Sequence, residues 1–353
     1  MTVLYRTYRP QRWSEVIGQD HIVEALKDAV ASKRIAHAYL FSGTRGTGKT
    51  TVARILAREL GASGEDTYEI DAASNRGIDN IRELREHVSV LPFSSPYKVY
   101  IIDEVHMLSK DAWNALLKTL EEPPAHVVFI LATTELDKVP ETIVSRCQTF
   151  TFRKPVRDVL RKQVAAVATK EGYSLDAGAA DLIAMLGDGS FRDALGMLEK
   201  VISANGSSPK EENKKSSKHE ALRTIARANV EAITGAPRAE SVNKLIEALI
   251  TKDADAALRA VFDAENAGVS MNTYMTLILE KLRFILLVSR SKSSEGSVKD
   301  RVSPDDWEFI SAQAAKGSLT PEMLAAMLGA AEETGRSRVE QLPLELAIVK
   351  MCS

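Results

Sequence analysis

The sequence holds little cysteine and almost no excess charge. Its 353 residues include two cysteines, Cys147 and Cys352, far apart along the chain. A disulfide framework and a cysteine zinc site both need more cysteines than this, so we expect neither. The net charge of -2 at pH 7 creates no global field that would attract nucleic acid or an acidic membrane. Any DNA contact must therefore come from a local basic patch.

Long hydrophobic runs are also missing. The longest, residues 127–132 and 284–288, are too short to cross a bilayer. Residues 1–10 contain no apolar stretch of the kind found in secretory signal peptides. We therefore expect a cytoplasmic protein without a membrane partner. With 44% hydrophobic and 27% charged residues, the chain is long enough for two or three domains with their own cores.

The first half of the chain alternates between strand and helix signals. Short β-rich runs occur at residues 38–42, 68–71, 99–103 and 127–133. Apolar residues at helical spacing predict helices within residues 52–60, 78–88 and 110–120. Gly61 is a plausible stop for the first helix, and Ser109 is a good N-cap for the third. Repeated strand–helix units predict an α/β fold with a parallel sheet and helices on both faces.

Strand signals fade after Pro155, and the rest of the chain has helical patterns. Residues 206–220 are polar and charged, which is typical of a mobile linker. Residues 289–302 form a second polar break. We predict an α/β core at 1–153, a small helical domain at 154–205, the linker at 206–220 and a second helical domain at 221–353.

The strongest motif is Gly-Thr-Arg-Gly-Thr-Gly-Lys-Thr, from Gly43 to Thr50, between a predicted strand and a predicted helix. It fits the P-loop pattern, in which glycines let backbone N–H groups and a helix N-terminus face a phosphate. Lys49 is expected to reach the β- and γ-phosphates of a nucleoside triphosphate, and Thr50 to bind Mg²⁺. The motif residues predicted to hold the nucleotide are Gly43, Thr44, Gly46, Thr47, Gly48, Lys49, Thr50 and Thr51.

A second motif follows the apolar run at 99–103, which delivers Asp103 to the carboxyl edge of the predicted sheet. An acidic side chain there can ligate Mg²⁺ beside a P-loop. Glu104 is the candidate base that orients and activates water. An Asp-Glu pair at a strand end is a common surface feature on its own, and the P-loop before it makes the motif specific. We expect His106 to be a packed or hydrogen-bonded histidine, not a catalytic one.

Phosphoryl transfer also needs positive charge near the γ-phosphate, which an arginine supplies well. Arg146, in Val-Ser-Arg-Cys, and Arg192, in Gly-Ser-Phe-Arg-Asp, are candidates. Most arginines are simply solvated, so the pattern alone does not decide whether Arg146 and Arg192 contact a phosphate or only solvent.

Several runs together resemble the AAA+ clamp-loader ATPases. They are the P-loop motif and residues 69–77, 99–108, 114–124, 131–134 and 145–147. Among those ATPases the sequence is most similar to the gamma/tau family of bacterial DNA polymerase III, densely over residues 5–205 and more loosely over 221–353. The resemblance implies a RecA-like AAA+ domain, a helical lid at 154–205 and an oligomerising helical collar at 221–353.

The resemblance also implies roles for single residues. Thr134 matches sensor 1, which helps to position the attacking water. Arg146 matches an arginine finger that reaches the ATP of a neighbouring subunit, and Arg192 matches sensor 2, which acts on the subunit's own ATP. Residues expected near the adenine are Tyr8, Arg9, Pro10, Ile17 and Gly18. Residues expected to contact DNA phosphates are Asn75, Arg76, Arg82, Ser109, Lys110 and Lys138, although a solvated basic face explains any one of them equally well.

One departure from the family pattern concerns zinc. The family usually carries a four-cysteine zinc module between the P-loop helix and the segment that begins at Glu69. Here residues 61–68 fill that interval and include no cysteine or histidine. We therefore expect ATP and Mg²⁺ as ligands and no zinc.

These observations favour an ATPase subunit of a bacterial clamp loader, with no polymerase active site on this chain. The expected partners are copies of itself, other loader subunits in a hetero-pentamer, the sliding clamp and primer–template DNA. One alternative is another AAA+ DNA remodeller, such as a helicase loader or a branch-migration motor. The other is a structural loader subunit that does not hydrolyse ATP, although Lys49, Thr50, Asp103 and Glu104 are all intact.

Overall fold

The computed structural model describes residues 3–74, 84, 86–205, 222–299 and 301–352. The chain divides into two compact units. The first comprises Met1–Leu160 and Gly187–Leu195, and the second comprises Arg161–Leu186 and Gly196–Ser353. This division differs from the predicted boundaries after residues 153, 205 and 220. The separation of a lid from a collar stays a prediction.

A sheet of five parallel strands forms the centre of the first unit. In chain order the strands are β1 (Ala38–Ser42), β2 (Thr67–Asp71), β3 (Lys98–Asp103), β4 (Val127–Thr133) and β5 (Gln148–Thr151). Their order in the sheet is β2-β3-β4-β1-β5, and all neighbours are parallel. The predicted parallel α/β fold is confirmed. Strand β5 has no counterpart among the predicted strands, because it is a short edge strand whose residues are mostly exposed.

The two faces of the sheet carry separate cores, as expected for strands buried on both sides. On one face Leu40, Ile102 and Leu131 pack in a cluster with Trp113 and Leu116. On the other face alternate residues of the same strands join the second cluster, which includes Tyr39, Phe41, Ile101, Ile130, Ile55 and Leu56. Strands β1 and β4 are buried along their whole length, and this explains their uninterrupted apolar sequences.

The helices of the first unit follow the strand–helix pattern. They are α1 (Leu4–Thr7), α2 (Asp20–Ala31), α3 (Lys49–Glu59), α4 (Lys110–Glu121) and α5 (Glu141–Val144), with single 3-10 turns at Trp13–Glu15, Val105–Met107 and Leu136–Lys138. Gly61, at φ +81°, follows α3 and donates its N–H to the Arg58 carbonyl over 2.9 Å, so the predicted helix stop is confirmed. The Ser109 hydroxyl accepts the N–H of Ala112 over 3.2 Å, so the predicted N-cap of α4 is confirmed.

The remaining elements are mainly helical. In chain order they are α6 (Arg157–Lys170), β6 (Tyr173–Leu175), α7 (Ala177–Leu186), α8 (Phe191–Ala204), β7 (Arg223–Ile225), α9 (Arg227–Thr234), α10 (Ala239–Thr251), α11 (Ala254–Asn266), α12 (Met271–Arg290), α13 (Glu295–Lys299), α14 (Pro304–Lys316), α15 (Pro321–Thr334) and α16 (Leu342–Cys352), with a 3-10 turn at Lys292–Ser294. No helix in the described part of the chain is both long and apolar enough to span a bilayer.

Two details of the second unit differ from the sequence reading. The short strands β6 and β7 pair in parallel within the second unit, where only helices were expected. The polar break predicted at 289–302 is wrong in part, because α12 continues to Arg290 and α13 buries the side chain of Val298. The linker predicted at 206–220 lies outside the described residues, and the helix predicted over 78–88 lies largely outside them.

Candidate active site

The glycine-rich loop connects β1 to α3, and its backbone explains its glycines. Gly43, Gly46 and Gly48 have φ values of +143°, +75° and +106°, a region that side chains disfavour. A Cβ atom on Gly43 would lie 2.7 Å from the Phe152 carbonyl oxygen, and one on Gly46 would lie 2.0 Å from Ser190 Oγ. Thr47 is buried and donates its hydroxyl to the Thr44 carbonyl over 2.9 Å. The loop is therefore held in one conformation at the N-terminus of α3.

Lys49 is the first residue of α3, and its side chain is buried beneath the loop. Its ammonium donates to the carbonyl oxygens of Gly43 over 2.6 Å and Thr44 over 3.0 Å. The pKa of Lys49 is lowered, chiefly by burial and also by the charge of Arg192. The Glu104 and Asp103 carboxylates act in the opposite direction and raise it. The lysine charge therefore lies close enough to both acidic residues and to Arg192 to interact with them.

Thr50 and Asp103 bring two oxygen ligands together. The Thr50 hydroxyl donates to Asp103 Oδ2 over 2.7 Å, and Asp103 Oδ1 accepts the N–H of Glu104 over 3.0 Å. Hydroxyl and carboxylate oxygens are the ligands that Mg²⁺ prefers. The two side chains fit a site at which one Mg²⁺ ion would be held beside the P-loop.

Glu104 follows β3 in a left-handed backbone conformation, at φ +48° and ψ +44°. Such a conformation costs free energy in a non-glycine residue and persists only where the surroundings impose it. Its Oε2 atom accepts a hydrogen bond from the Thr134 hydroxyl over 2.9 Å. The structure therefore brings the candidate base at the end of β3 together with the proposed sensor residue that follows β4.

His106 lies in the 3-10 turn after Glu104, and its side chain is only 6% exposed. Its Nδ1 atom lies 3.0 Å from Thr133 Oγ1, and its Nε2 atom lies 3.2 Å from Glu135 Oε1. The predicted packed and hydrogen-bonded histidine is confirmed. No sequence pattern indicates that its partners are Thr133 and Glu135.

Arg192 belongs to the segment Gly187–Leu195, which joins the first unit. The N–H of the preceding Phe191 donates to the Gly46 carbonyl over 3.1 Å, which ties the start of α8 to the P-loop. The Arg192 guanidinium lies 5.7 Å from the ring centre of Tyr5. The pKa of Arg9 is lowered by burial and by the charges of Arg54, Arg192 and Arg6, although Glu69 raises it. Arg192 therefore interacts with Arg9 as well as with Lys49.

The residues predicted near the adenine lie in two segments. Gln19 is buried and bonds to the Arg153 backbone twice, through Nε2 to the carbonyl over 2.8 Å and through Oε1 to the N–H over 3.1 Å. These bonds fix the segment that carries Ile17, which is 41% exposed, and Gly18, which has a φ of +76°. Tyr8 and Pro10 are partly buried. The adenine site at these residues stays a prediction.

Arg146 lies in the segment between α5 and the edge strand β5. It donates to the Thr142 carbonyl over 2.7 Å and to Glu121 Oε1, at the end of α4, over 2.9 Å. Cys147 anchors this segment in the core under α4, and burial raises the pKa of its thiol to about 12. Arg146 is therefore held at the flank of the sheet.

Three of the six predicted DNA contacts, Asn75, Arg76 and Arg82, lie outside the described residues. Of the others, Ser109 caps α4, and its hydroxyl accepts the Ala112 N–H while keeping its own proton to donate. Lys110 is the exposed first residue of α4, and Lys138 pairs with Glu135 over 2.6 Å.

This arrangement defines the class of protein. A parallel sheet with a glycine-rich loop after β1, an acidic pair after β3 and a hydroxyl after β4 is the RecA-like AAA+ P-loop fold. RuvB of Thermotoga maritima, a Holliday junction branch migration motor, has a similar fold, with a TM-score of 0.51 and 22% identity over 69% of this chain and 79% of that one. A family model described as the delta subunit of DNA polymerase III matches residues 18–76 and 63–156.

Sequence relatives narrow the class further. The gamma subunit of DNA polymerase III from Buchnera aphidicola (subspecies Acyrthosiphon pisum) is 36% identical over 82% of this chain and 81% of that protein. The tau subunit from Bacillus subtilis is 37% identical over 99% of this chain and 63% of that protein. The tau subunit from Escherichia coli is 34% identical, and this chain covers 47% of it. The chain belongs to the gamma/tau subunit family of DNA polymerase III, and it spans about half to two thirds of the length of these tau relatives.

Proposed function

We propose that this chain is an ATP-hydrolysing subunit of a clamp loader, which opens a sliding clamp and loads it on primed DNA during replication. The observation that carries the proposal is the convergence of Lys49, Thr50, Asp103, Glu104 and Thr134 at one edge of the sheet. Family membership supports the clamp-loading part. The whole activity would be exercised in the cytoplasm, by a hetero-pentamer with other loader subunits and further copies of this chain.

In the proposed mechanism the P-loop backbone and Lys49 bind the phosphates of ATP. Thr50 and Asp103 would hold Mg²⁺, which would supply positive charge beside the phosphates. Glu104 accepts a proton from the attacking water, and Thr134 fixes the orientation of the carboxylate through its 2.9 Å hydrogen bond. Arg192 adds positive charge from the same subunit, and Arg146 adds it from a neighbouring subunit. Tyr8, Arg9, Pro10, Ile17 and Gly18 surround the adenine.

ATP would act here by shifting populations between two assemblies. The ATP-bound assembly holds the clamp open and binds DNA through local cations such as Lys110, and hydrolysis releases the closed clamp. The residues 154–205 would form the lid and 221–353 the collar. The interval 61–68 would need no metal, so elemental analysis of the purified protein should find no stoichiometric zinc.

The proposal is tested by isolating the complex from cells through a tag on this chain. The complex should retain a sliding clamp on circular primed DNA when ATP is present, and primed DNA with clamp should stimulate ATP turnover. A complex that hydrolyses ATP without binding any clamp would point to another AAA+ remodeller. A complex that loads clamps equally well when this chain carries Glu104→Gln would make it a structural subunit.

A further inference from the structure

Arg192 carries its positive charge at a place that is already electropositive. It is the second residue of α8, at the end of the helix where the helix dipole is positive. Its charge also interacts with those of Lys49 and Arg9. Among the residues that the structure describes, no carboxylate forms an ion pair with Arg192. A group of another kind therefore holds its guanidinium in place.

The aromatic ring of Tyr5 supplies such a group. The Arg192 Cζ atom lies 5.7 Å from the centre of this ring, and both side chains are partly buried. The face of an aromatic ring attracts a cation at such distances, most strongly where water is partly excluded. A carboxylate would neutralise the guanidinium and occupy its N–H groups. A ring face leaves both the charge and the N–H donors available to an anion.

Both partners of this contact belong to segments that are tied to the P-loop and its helix. The segment that follows α1, and so follows Tyr5, is bonded to α3. Arg58 of that helix donates to the Gln11 carbonyl over 2.6 Å and to the Gln11 side-chain oxygen over 2.8 Å. On the other side of the contact, the Phe191 N–H donates to the Gly46 carbonyl over 3.1 Å. The ring and the guanidinium are therefore anchored to the same loop and helix.

We propose that the Tyr5 ring holds the Arg192 guanidinium beside the P-loop as an unneutralised cation, able to donate to the γ-phosphate of ATP. The inference rests on the proposed ATPase function and deepens it. Tyr5 is a positioning residue, since it acts through Arg192. A guanidinium that is held in advance loses less conformational entropy when it contacts the phosphate. The ring therefore raises kcat and leaves the affinity for ATP nearly unchanged.

The test compares two substitutions of Tyr5 in the complex isolated through a tag on the full chain. Tyr5→Leu removes the ring face, so kcat for ATP should fall about 2- to 30-fold, the range expected for the loss of a cation–π contact. The Kd for ATP should stay close to that of the wild type. Tyr5→Phe keeps the ring and removes only a hydroxyl to which no described residue is bonded. It is the matched control and should retain most of the wild-type kcat.

Two further measurements separate positioning of Arg192 from a structural role of Tyr5. In an Arg192→Ala background, Tyr5→Leu should cause no further loss of kcat, because two residues that act through one contact are not additive. Phenylalanine analogues with increasing numbers of ring fluorines, placed at position 5, should lower kcat step by step. Fluorine weakens the attraction of the ring for a cation and changes its shape little. This series decides the matter if Tyr5→Leu does not fold.

Three results would count against the proposals in different ways. A constant kcat across the fluorinated series, or losses that multiply in the double variant, would overturn the role of Tyr5. A weaker affinity for ATP at unchanged kcat in Tyr5→Leu would assign the ring to the adenine and overturn that role as well. A wild-type complex whose turnover Glu104→Gln does not reduce would overturn the proposed ATPase function instead.

Discussion

Thr50 lies at the start of α3 and Asp103 at the end of β3, 53 residues apart, yet the Thr50 hydroxyl donates to Asp103 Oδ2 over 2.7 Å. The sheet makes this contact possible, because the P-loop after β1 and the carboxyl end of β3 lie at the same edge. Two hard oxygen ligands are thereby placed beside the phosphate-binding loop. From their pairing we expect ATP turnover to depend on Mg²⁺.

Removing the Thr50 hydroxyl should therefore weaken metal binding more than nucleotide binding. In Thr50→Val the Mg²⁺ concentration for half-maximal ATP turnover should rise about 10-fold or more, since even indirect partners of metal ligands contribute that much. ATP affinity measured in EDTA should change little. Thr276→Val, which removes an exposed hydroxyl from α12 in the second unit, is the control. An unchanged Mg²⁺ dependence in Thr50→Val would contradict the assignment of Thr50 as a metal ligand.

Asp66 organises the short interval where the family usually has its zinc module. Its carboxylate accepts the N–H groups of Phe93 over 2.6 Å and Ser94 over 3.0 Å. Burial alone would raise the pKa of Asp66, but these hydrogen bonds, with those from Ser95 and Ser63, outweigh it and hold the pKa well below its usual range. The Asp66 carboxylate thus ties the segment just before β2 to the segment just before β3.

Because the pKa of Asp66 is lower in the folded state, the carboxylate stabilises the fold above its unfolded pKa of about 4 and ceases to do so as pH falls through the folded value. Asp66→Asn should lower Tm at neutral pH, and the difference from the wild type should shrink as the pH falls below about 4. Asp255→Asn, an exposed aspartate on α11 with a side chain 75% exposed, is the control. A difference in Tm that stays constant with pH would exclude an ionised Asp66 as its source.

Elements and motifs that leave a local pattern could be predicted from the sequence, whereas contacts between residues far apart along the chain could not. The bounds of β1 and β4 were predicted correctly, because strands buried on both faces leave an apolar run in the sequence. The P-loop residues, Asp103 and Glu104 were found because motif spacing marks them. Strand β5 was missed because an edge strand with exposed residues carries no such run.

Contacts that form because two strands are adjacent in the sheet could not be predicted from the sequence. His106 meets Glu135 only because β3 and β4 are adjacent in the sheet, so that the residues after both strands come together. Asp66 likewise meets Phe93 across 27 residues. Neither pairing leaves a local pattern in the sequence. Thr134 was predicted as a sensor residue through resemblance alone, and its hydrogen bond to Glu104 supports that prediction.

Arg146 provides a prediction about assembly. It is bonded to Thr142 and Glu121, and we predict that it reaches the ATP of a neighbouring subunit. Arginine fingers supplied in trans contribute about 10³–10⁵ in rate to other NTPases. Arg146→Ala should therefore bind ATP nearly as the wild type does and hydrolyse it slowly within the assembled complex.

A mixture tests whether the finger acts in trans. Lys49→Ala protein cannot use its own P-loop but keeps an intact Arg146. In mixed complexes with Arg146→Ala protein, some interfaces therefore pair an intact P-loop on one subunit with an intact Arg146 on the other. Turnover should partly recover. A mixture that co-assembles and stays as inactive as the separate variants would mean that Arg146 serves local structure.

The most direct test of the account is the comparison of ATP binding and ATP turnover in Lys49→Ala and Glu104→Gln, each in the complex isolated through this chain. Lys49 is proposed to contact phosphates in the ground state, whereas Glu104 is proposed to act on water. Lys49→Ala should lose tight ATP binding. Glu104→Gln should bind ATP as the wild type does and turn it over about 10² times more slowly or less, as expected for the loss of a general base. ATP affinity equal to that of the wild type in Lys49→Ala, or normal turnover in Glu104→Gln, would contradict the proposed active site.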